Sequence, residues 1–178
     1  MIRLPLLIAL GLATTACGLR PLYSGGESGP VATVLRSVAV QPIPGQSGYL
    51  VRSALVDRLG VTDAAPRYRL QVELDDDIEG FGIRGDSAVT RERRTLRARF
   101  QLIEAGKGTV VLDATAGSDA GIDVVGSEYA TIAAESTALE RLSDTVAEQI
   151  VGRLALYARR TQATAGATAG TAAGTPAP

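Results

Sequence analysis

The chain has 178 residues, 18 Lys or Arg against 19 Asp or Glu, no histidine, no tryptophan and one cysteine. That length supports one domain, and a net charge of −1 argues against a general nucleic-acid binder. Without histidine, Ser-His-Asp and Cys-His catalysis and His-ligated metal sites are excluded. A single cysteine allows no intramolecular disulfide, so the core must hold the fold unaided, and with 4% aromatic residues it must be built from Val, Leu, Ile and Ala.

The chain opens MIRLPLLIALGLATTAC, with Arg3, an apolar run from Leu4 to Ala13, and small residues before Cys17. A cationic start and an apolar stretch of about 7–15 residues describe a secretory signal peptide. The run is too short for a spanning helix, which needs roughly 20 residues. Residues 1–16 with Cys17 resemble a bacterial lipoprotein signal, in which the cut falls before a cysteine that receives a diacylglycerol on sulfur and an acyl chain on its amine. Ala16 fits the position before the cut, and Thr14 stands where the pattern prefers Leu. The alternative is an ordinary secretory signal containing an incidental cysteine. Acylation removes the hazard of a lone thiol in an oxidising compartment. Each buried methylene contributes about 0.8 kcal/mol, so two or more chains anchor durably. This covalent lipid is the one attached group expected; no other cofactor and no metal is implied. Gly18, where Asp would retain such a protein at the inner membrane, implies the periplasmic face of the outer membrane.

Residues 17–30 are rich in Gly, Ser and Pro and read as a tether from lipid to domain, with Leu19, Leu22 and Tyr23 able to dock on a neighbour. From Thr33 the run TVLRSVAVQPI alternates and predicts a first strand closed by Pro42. Ser47 is placed to cap a helix carrying Leu50, Val51, Ala54, Leu55 and Leu59, which Gly60 stops. Tyr68, Leu70, Val72, Leu74 and Ile78 alternate with polar residues as a half-buried second strand. Gly80, Gly82 and Gly85 mark a hairpin end, with Arg84-Gly85-Asp86 as its turn. The chain returns over 87–104, Leu96, Ala98, Phe100 and Leu102 facing in and Arg91, Arg93, Arg97 and Arg99 facing out. Residues 105–108 form a turn, 109–116 a fourth strand and 117–127 a loop. A second helix follows Ser127, with Ile132, Leu139, Leu142, Val146, Ile150, Leu154 and Tyr157 as its apolar stripe. Residues 161–178, made of Thr, Gln, Ala, Gly and Pro, read as a disordered tail. The expected domain, 31–160, is α+β in the order β-α-β-β-β-α: a four-stranded, mostly antiparallel sheet covered on one face by two helices.

Cys17-Gly18-Leu19-Arg20-Pro21-Leu22-Tyr23, this element order and this size resemble the LptE family of lipopolysaccharide-assembly lipoproteins, over residue 17 to about 160. The resemblance implies a non-enzymatic subunit that sits partly inside the outer-membrane barrel LptD, helps it assemble and binds lipopolysaccharide. It does not explain the alanine-rich tail.

Arg91, Arg93, Arg97 and Arg99 share one strand face, with Arg94 on the other. The planar fork of arginine suits bidentate contact with phosphate, and lipid A is phosphorylated, so the four are candidate lipopolysaccharide contacts. Arg91 and Arg93, nearest the glycine-rich tip, are the most accessible by this reading. The competing reading is structural. A turn near Gly85 places Asp77 and Glu79 opposite Arg91, and Glu73 and Asp75 across from Arg93 and Arg97, pairs each contributing about 0.2–1 kcal/mol. The acidic run itself lacks calcium-loop spacing. Phe81 and Ile83 are candidate contacts for a barrel or lipid, or fold back on the core. Two rival functions remain: an auxiliary lipoprotein of a phospholipid or ABC-type transport system, and a lipid-anchored hydrolase, against which stands the lack of histidine and of a nucleophile motif.

Overall fold

A computed structural model describes residues 29–60, 65–83, 89–124 and 126–172. The signal, Cys17 and the tether therefore lie outside the described residues, as do the predicted Arg84-Gly85-Asp86 turn and the last six residues. The element order is α1 (Pro30–Arg36), β1 (Val38–Val40), α2 (Gly45–Leu59), β2 (Tyr68–Ile83), β3 (Val89–Glu104), β4 (Val110–Asp123) and α3 (Glu128–Ala172). The sheet order is β1-β2-β3-β4, with β1 parallel to β2 and the other pairs antiparallel. The mostly antiparallel α+β sheet is as expected, with three corrections.

First, the predicted opening strand begins as a helix, Thr33–Arg36 being the last turn of α1. Pro30 sits at the start of α1, where a missing N–H costs nothing. Val31 and Leu35, one helical turn apart, are buried, and the Thr33 hydroxyl donates to the Gly29 carbonyl at 3.2 Å. Only Val38–Val40 remain as strand. Second, β4 does not stop at Ala116; it runs to Asp123 along the whole of β3. Third, α3 continues past Tyr157 to Ala172, where composition predicted a tail without structure; alanine is the best helix former. A smaller shift is at α2, which begins at Gly45, φ 83°, with no side-chain cap, so Ser47 lies inside its first turn.

Other local signals act as their chemistry requires. Gly60 ends α2 at φ 80°, and its N–H donates to the Val56 carbonyl. Gly108, φ 68°, closes the β3–β4 turn with a bond from its N–H to the Glu104 carbonyl at 2.8 Å. The Ser127 hydroxyl accepts from the Ala130 N–H at 3.5 Å, capping α3.

Even-numbered residues of β2 to β4 face the helices. Leu70, Leu96, Phe100 and Leu102 are fully buried with Leu55 of α2 and Leu139, Ile150 and Leu154 of α3. At the α1 end, Tyr68 and Tyr157 meet edge to face, centroids 6.2 Å apart. Ile132 was expected in the stripe but is 56% exposed: the first turns of α3 reach beyond the packed core. Odd-numbered residues of β2, β3 and β4 project from the other side of the sheet, which carries no helix among the described residues. That open face holds the arginines.

Candidate functional site

On the open face the charges lie in three stripes. β2 carries Glu73, Asp75, Asp77 and Glu79; β3 carries Arg91, Arg93, Arg97 and Arg99; β4 carries Asp113, Asp119 and Asp123. Strand alternation alone puts each set on one side. The register corrects part of the expected pairing. Arg91 stands opposite Phe81, in place of Asp77 or Glu79, and Arg93 opposite Glu79, in place of Glu73 or Asp75. Asp75 faces Arg97, as expected, and Glu73 faces Arg99.

The guanidinium groups nevertheless turn the other way, to β4. Arg91 Nε lies 3.1 Å from Asp123 Oδ1, Arg93 Nε 3.9 Å from Asp119 Oδ2, and Arg99 Nη2 3.0 Å from Asp113 Oδ2. Gln101 adds a 2.8 Å bond to Asp113. The hydrogen bond with Arg99, then that with Gln101, holds the Asp113 carboxyl below its usual range, and the same contact raises Arg99. Two of these three carboxylates, Asp119 and Asp123, lie in the stretch whose composition reads as a loop, which hides them as partners in the sequence.

Arg97 differs from its neighbours: among the described residues it has no ion pair. Its partner position on β4 is Gly117, and a Cβ there would stand 3.4 Å from Arg97 Cγ, so the stem of Arg97 lies across a residue without a side chain. Arg97 lines an open groove of about 790 Å³, with Glu73, Asp75, Arg99 and Asp119 from the sheet and Arg153 from α3. Arg153 joins the site only through the fold; its sequence signal, one helical turn after Gln149, is weak. Phe81 is 40% exposed on the same face, and the Arg93 guanidinium carbon lies 5.5 Å from its ring centroid, a cation–π contact. Ile83 is the last paired residue of β2; its side chain lies outside the described residues.

Arg94 projects toward the helices, as alternation requires. It holds Asp76 through two bonds of 2.8 Å and donates to the Glu135 carbonyl of α3 at 3.1 Å. The bond to Asp76 raises its pKa further, against the effect of burial. It is a tie between sheet and helix, and not part of the open face. No described helix is long and apolar enough to cross a membrane.

A candidate lipoprotein of Caulobacter crescentus superposes with a TM-score of 0.62 at 24% identity, covering 75% of this chain and 98% of that one. A minor lipoprotein of Acinetobacter baumannii gives 0.55 at 18%, covering 67% and 90%, and rare lipoprotein B of Shewanella oneidensis gives 0.51 at 10%, covering 72% and 96%. At these identities the likeness establishes the fold. No curated protein matches the chain significantly. Residues 35–154 match the family model LptE, lipopolysaccharide-assembly, a match carried by the folded domain and not by the Cys17–Tyr23 start. The chain belongs to the LptE lipopolysaccharide-assembly family.

Proposed function

We propose that this chain is an outer-membrane lipoprotein, anchored through diacylglycerol and N-acyl chains on Cys17, that complexes with the LptD barrel and binds lipopolysaccharide on its way to the surface. It works by binding; no bond is made or broken. The observation that carries the reading is Arg97, an arginine without an ion-pair partner among the described residues, in an open groove on the uncovered sheet face of an LptE-family domain. A free guanidinium presents its planar fork to a phosphate without first leaving a carboxylate. Arg91, Arg93 and Arg99 must each give up an aspartate of β4 to do the same. Arg97 therefore leads the four, ahead of the tip residues. Phe81 supports the barrel contact as an exposed aromatic beside the strand tip.

The test uses the full lipoprotein in detergent, titrated with purified lipopolysaccharide. Arg97→Glu is expected to weaken binding at least about tenfold, since a charge-assisted bidentate contact is lost and a repulsion added, with Arg91→Glu weakening it less. Equal affinity of Arg97→Glu and the parent would sink the assignment. For the partner, a tag after Pro178 and mass spectrometry of solubilised membranes should recover one large barrel protein in near-equal amount. Transporter subunits without a barrel would favour the auxiliary-transport alternative.

A further inference from the structure

The sheet has two long edges, and they are finished differently. A strand residue in an antiparallel sheet turns its N–H and C=O to the same side. On β2 the Leu70 carbonyl faces β1, accepting from Gln41 N–H, so beyond Leu70 the even residues turn their backbone groups to an open edge. Glu73, Asp75, Asp77 and Glu79, none of them in an ion pair among the described residues, flank that edge on the open face. Exposed edge charge of this kind repels an added strand.

The edge of β4 has a different finish. The Gly117 N–H donates to Gln149 Oε1 at 3.2 Å, and the Gly117 carbonyl accepts from Gln149 Nε2 at 3.1 Å. Both groups thus point away from β3, and so do those of Asp113, Thr115, Asp119, Gly121 and Asp123, all exposed. Apart from the two bonds at Gly117, no hydrogen bond from the described residues occupies these outward backbone groups. The carboxamide of Gln149 reproduces at Gly117 the pair of bonds that a neighbouring antiparallel strand would make. Unlike β2, this edge carries compensated charge: Asp113, Asp119 and Asp123 are each within ion-pair distance of an arginine of β3.

We propose that the free edge of β4 is a strand-pairing surface for a second copy of this chain, held closed by Gln149. The strand is self-complementary about Gly117. An antiparallel register centred there sets Thr115 against Asp119 of the second copy and Asp113 against Gly121, so no carboxylate directly opposes another. On the helix-facing side it sets Ala116 against Ser118, Ala114 against Ala120 and Leu112 against Ile122, small with small and large with large. The interface is isologous, as closed twofold dimers require, and a twofold axis perpendicular to the sheet keeps both helical layers on one side. Docking proceeds only when the Gln149 amide leaves Gly117. The association is independent of the lipopolysaccharide reading.

Cross-linking reads the register directly. Residues that exchange both backbone bonds have Cα atoms about 5.5 Å apart, a separation a disulfide spans. Full-length lipoprotein carrying Thr115→Cys, mixed in detergent with lipoprotein carrying Asp119→Cys, is expected to give a disulfide-linked dimer that neither forms alone. Adding Gln149→Ala to both should speed its formation about thirtyfold, because two competing hydrogen bonds are gone. Gly121→Pro, at an exposed site where an added Cβ meets nothing within 4 Å, removes one edge N–H without touching the β3 ladder and should suppress the dimer. Hydrogen exchange at Thr115, Gly117 and Asp119 should slow with concentration in the Gln149→Ala protein. No mixed dimer, together with concentration-independent exchange, would overturn the proposal; so would protection of this edge only by a strand of another protein.

Discussion

The two faces of β3 use the same side chains to opposite effect. Toward the helices, Arg94 is 13% exposed and Asp76 20%, and they meet through two 2.8 Å bonds with a third to the Glu135 carbonyl. Toward the open side, Arg91 is 65% exposed and Asp123 78%, joined by one contact of 3.1 Å. Sequence separates the two arginines by three positions; the cover of α3 separates them in energy. A partly buried, bidentate pair with a third bond has few alternatives in water, whereas an exposed pair exchanges with solvent at almost no cost. One strand therefore ties the sheet to α3 with one arginine and leaves four on a surface where ligands can compete for them.

The largest test of that contrast is Asp76→Ala. It leaves Arg94 partly buried without its carboxylate, and the stability lost is expected to be about 3 kcal/mol, or roughly 6–12 °C in melting temperature for a chain of this size. Chemical and thermal denaturation measure it. A loss below about 1 kcal/mol would place Arg94 among the exposed pairs and erase the distinction between the faces.

Much of this contrast is legible in the sequence, because period-2 alternation alone assigns Arg91, Arg93, Arg97 and Arg99 to one face and Arg94 to the other. The same alternation misleads at Thr33–Arg36. There Val34 and Arg36 extend the pattern of a strand that starts only at Val38, while Pro30 and the Val31–Leu35 spacing are what the core uses. The second half of β4 escapes for another reason. Gly117, Asp119, Gly121 and Asp123 have poor strand propensity, yet they pair because β3 offers a complementary edge along its full length. With that stretch read as a loop, the partners of Arg91 and Arg93 are out of reach, and so is the solitude of Arg97. Gln149, an ordinary exposed helix residue in the sequence, gains its role only when α3 brings it to Gly117.

Glu92, on the helix side of β3 two residues before Arg94, sharpens the comparison by a smaller effect. Its Oε2 is buried without a hydrogen-bond donor among the described residues. Desolvation first, then the charge of Glu135 and a shared hydrogen bond with it, raise its pKa above the usual glutamate range. An acid whose folded pKa is raised contributes stability that is complete below its ordinary range and lost as pH rises through the raised value. Glu92→Gln, neutral throughout, should therefore be more stable than the parent at neutral pH, and the two should converge in acid. Melting curves from pH 4 to 8 decide it; a constant offset across that range would mean that Glu92 does not titrate against the helix.

The smallest effect belongs to the open face. Arg91→Ala breaks an exposed ion pair and is expected to cost about 0–1 kcal/mol, near the resolution of a denaturation curve. Arg97→Ala, with no ion-pair partner to lose among the described residues, should be as mild in stability yet weaken lipopolysaccharide binding more than Arg91→Ala does. That dissociation between stability and binding is what an available face requires. If Arg91→Ala instead destabilised the fold as much as Asp76→Ala, the arginine ladder would be a structural network spanning β3 and β4. A phosphate could then displace Asp123, Asp119 or Asp113 only by loosening the sheet that presents it, and Arg97 alone would remain as a contact the ligand can take without cost to the fold.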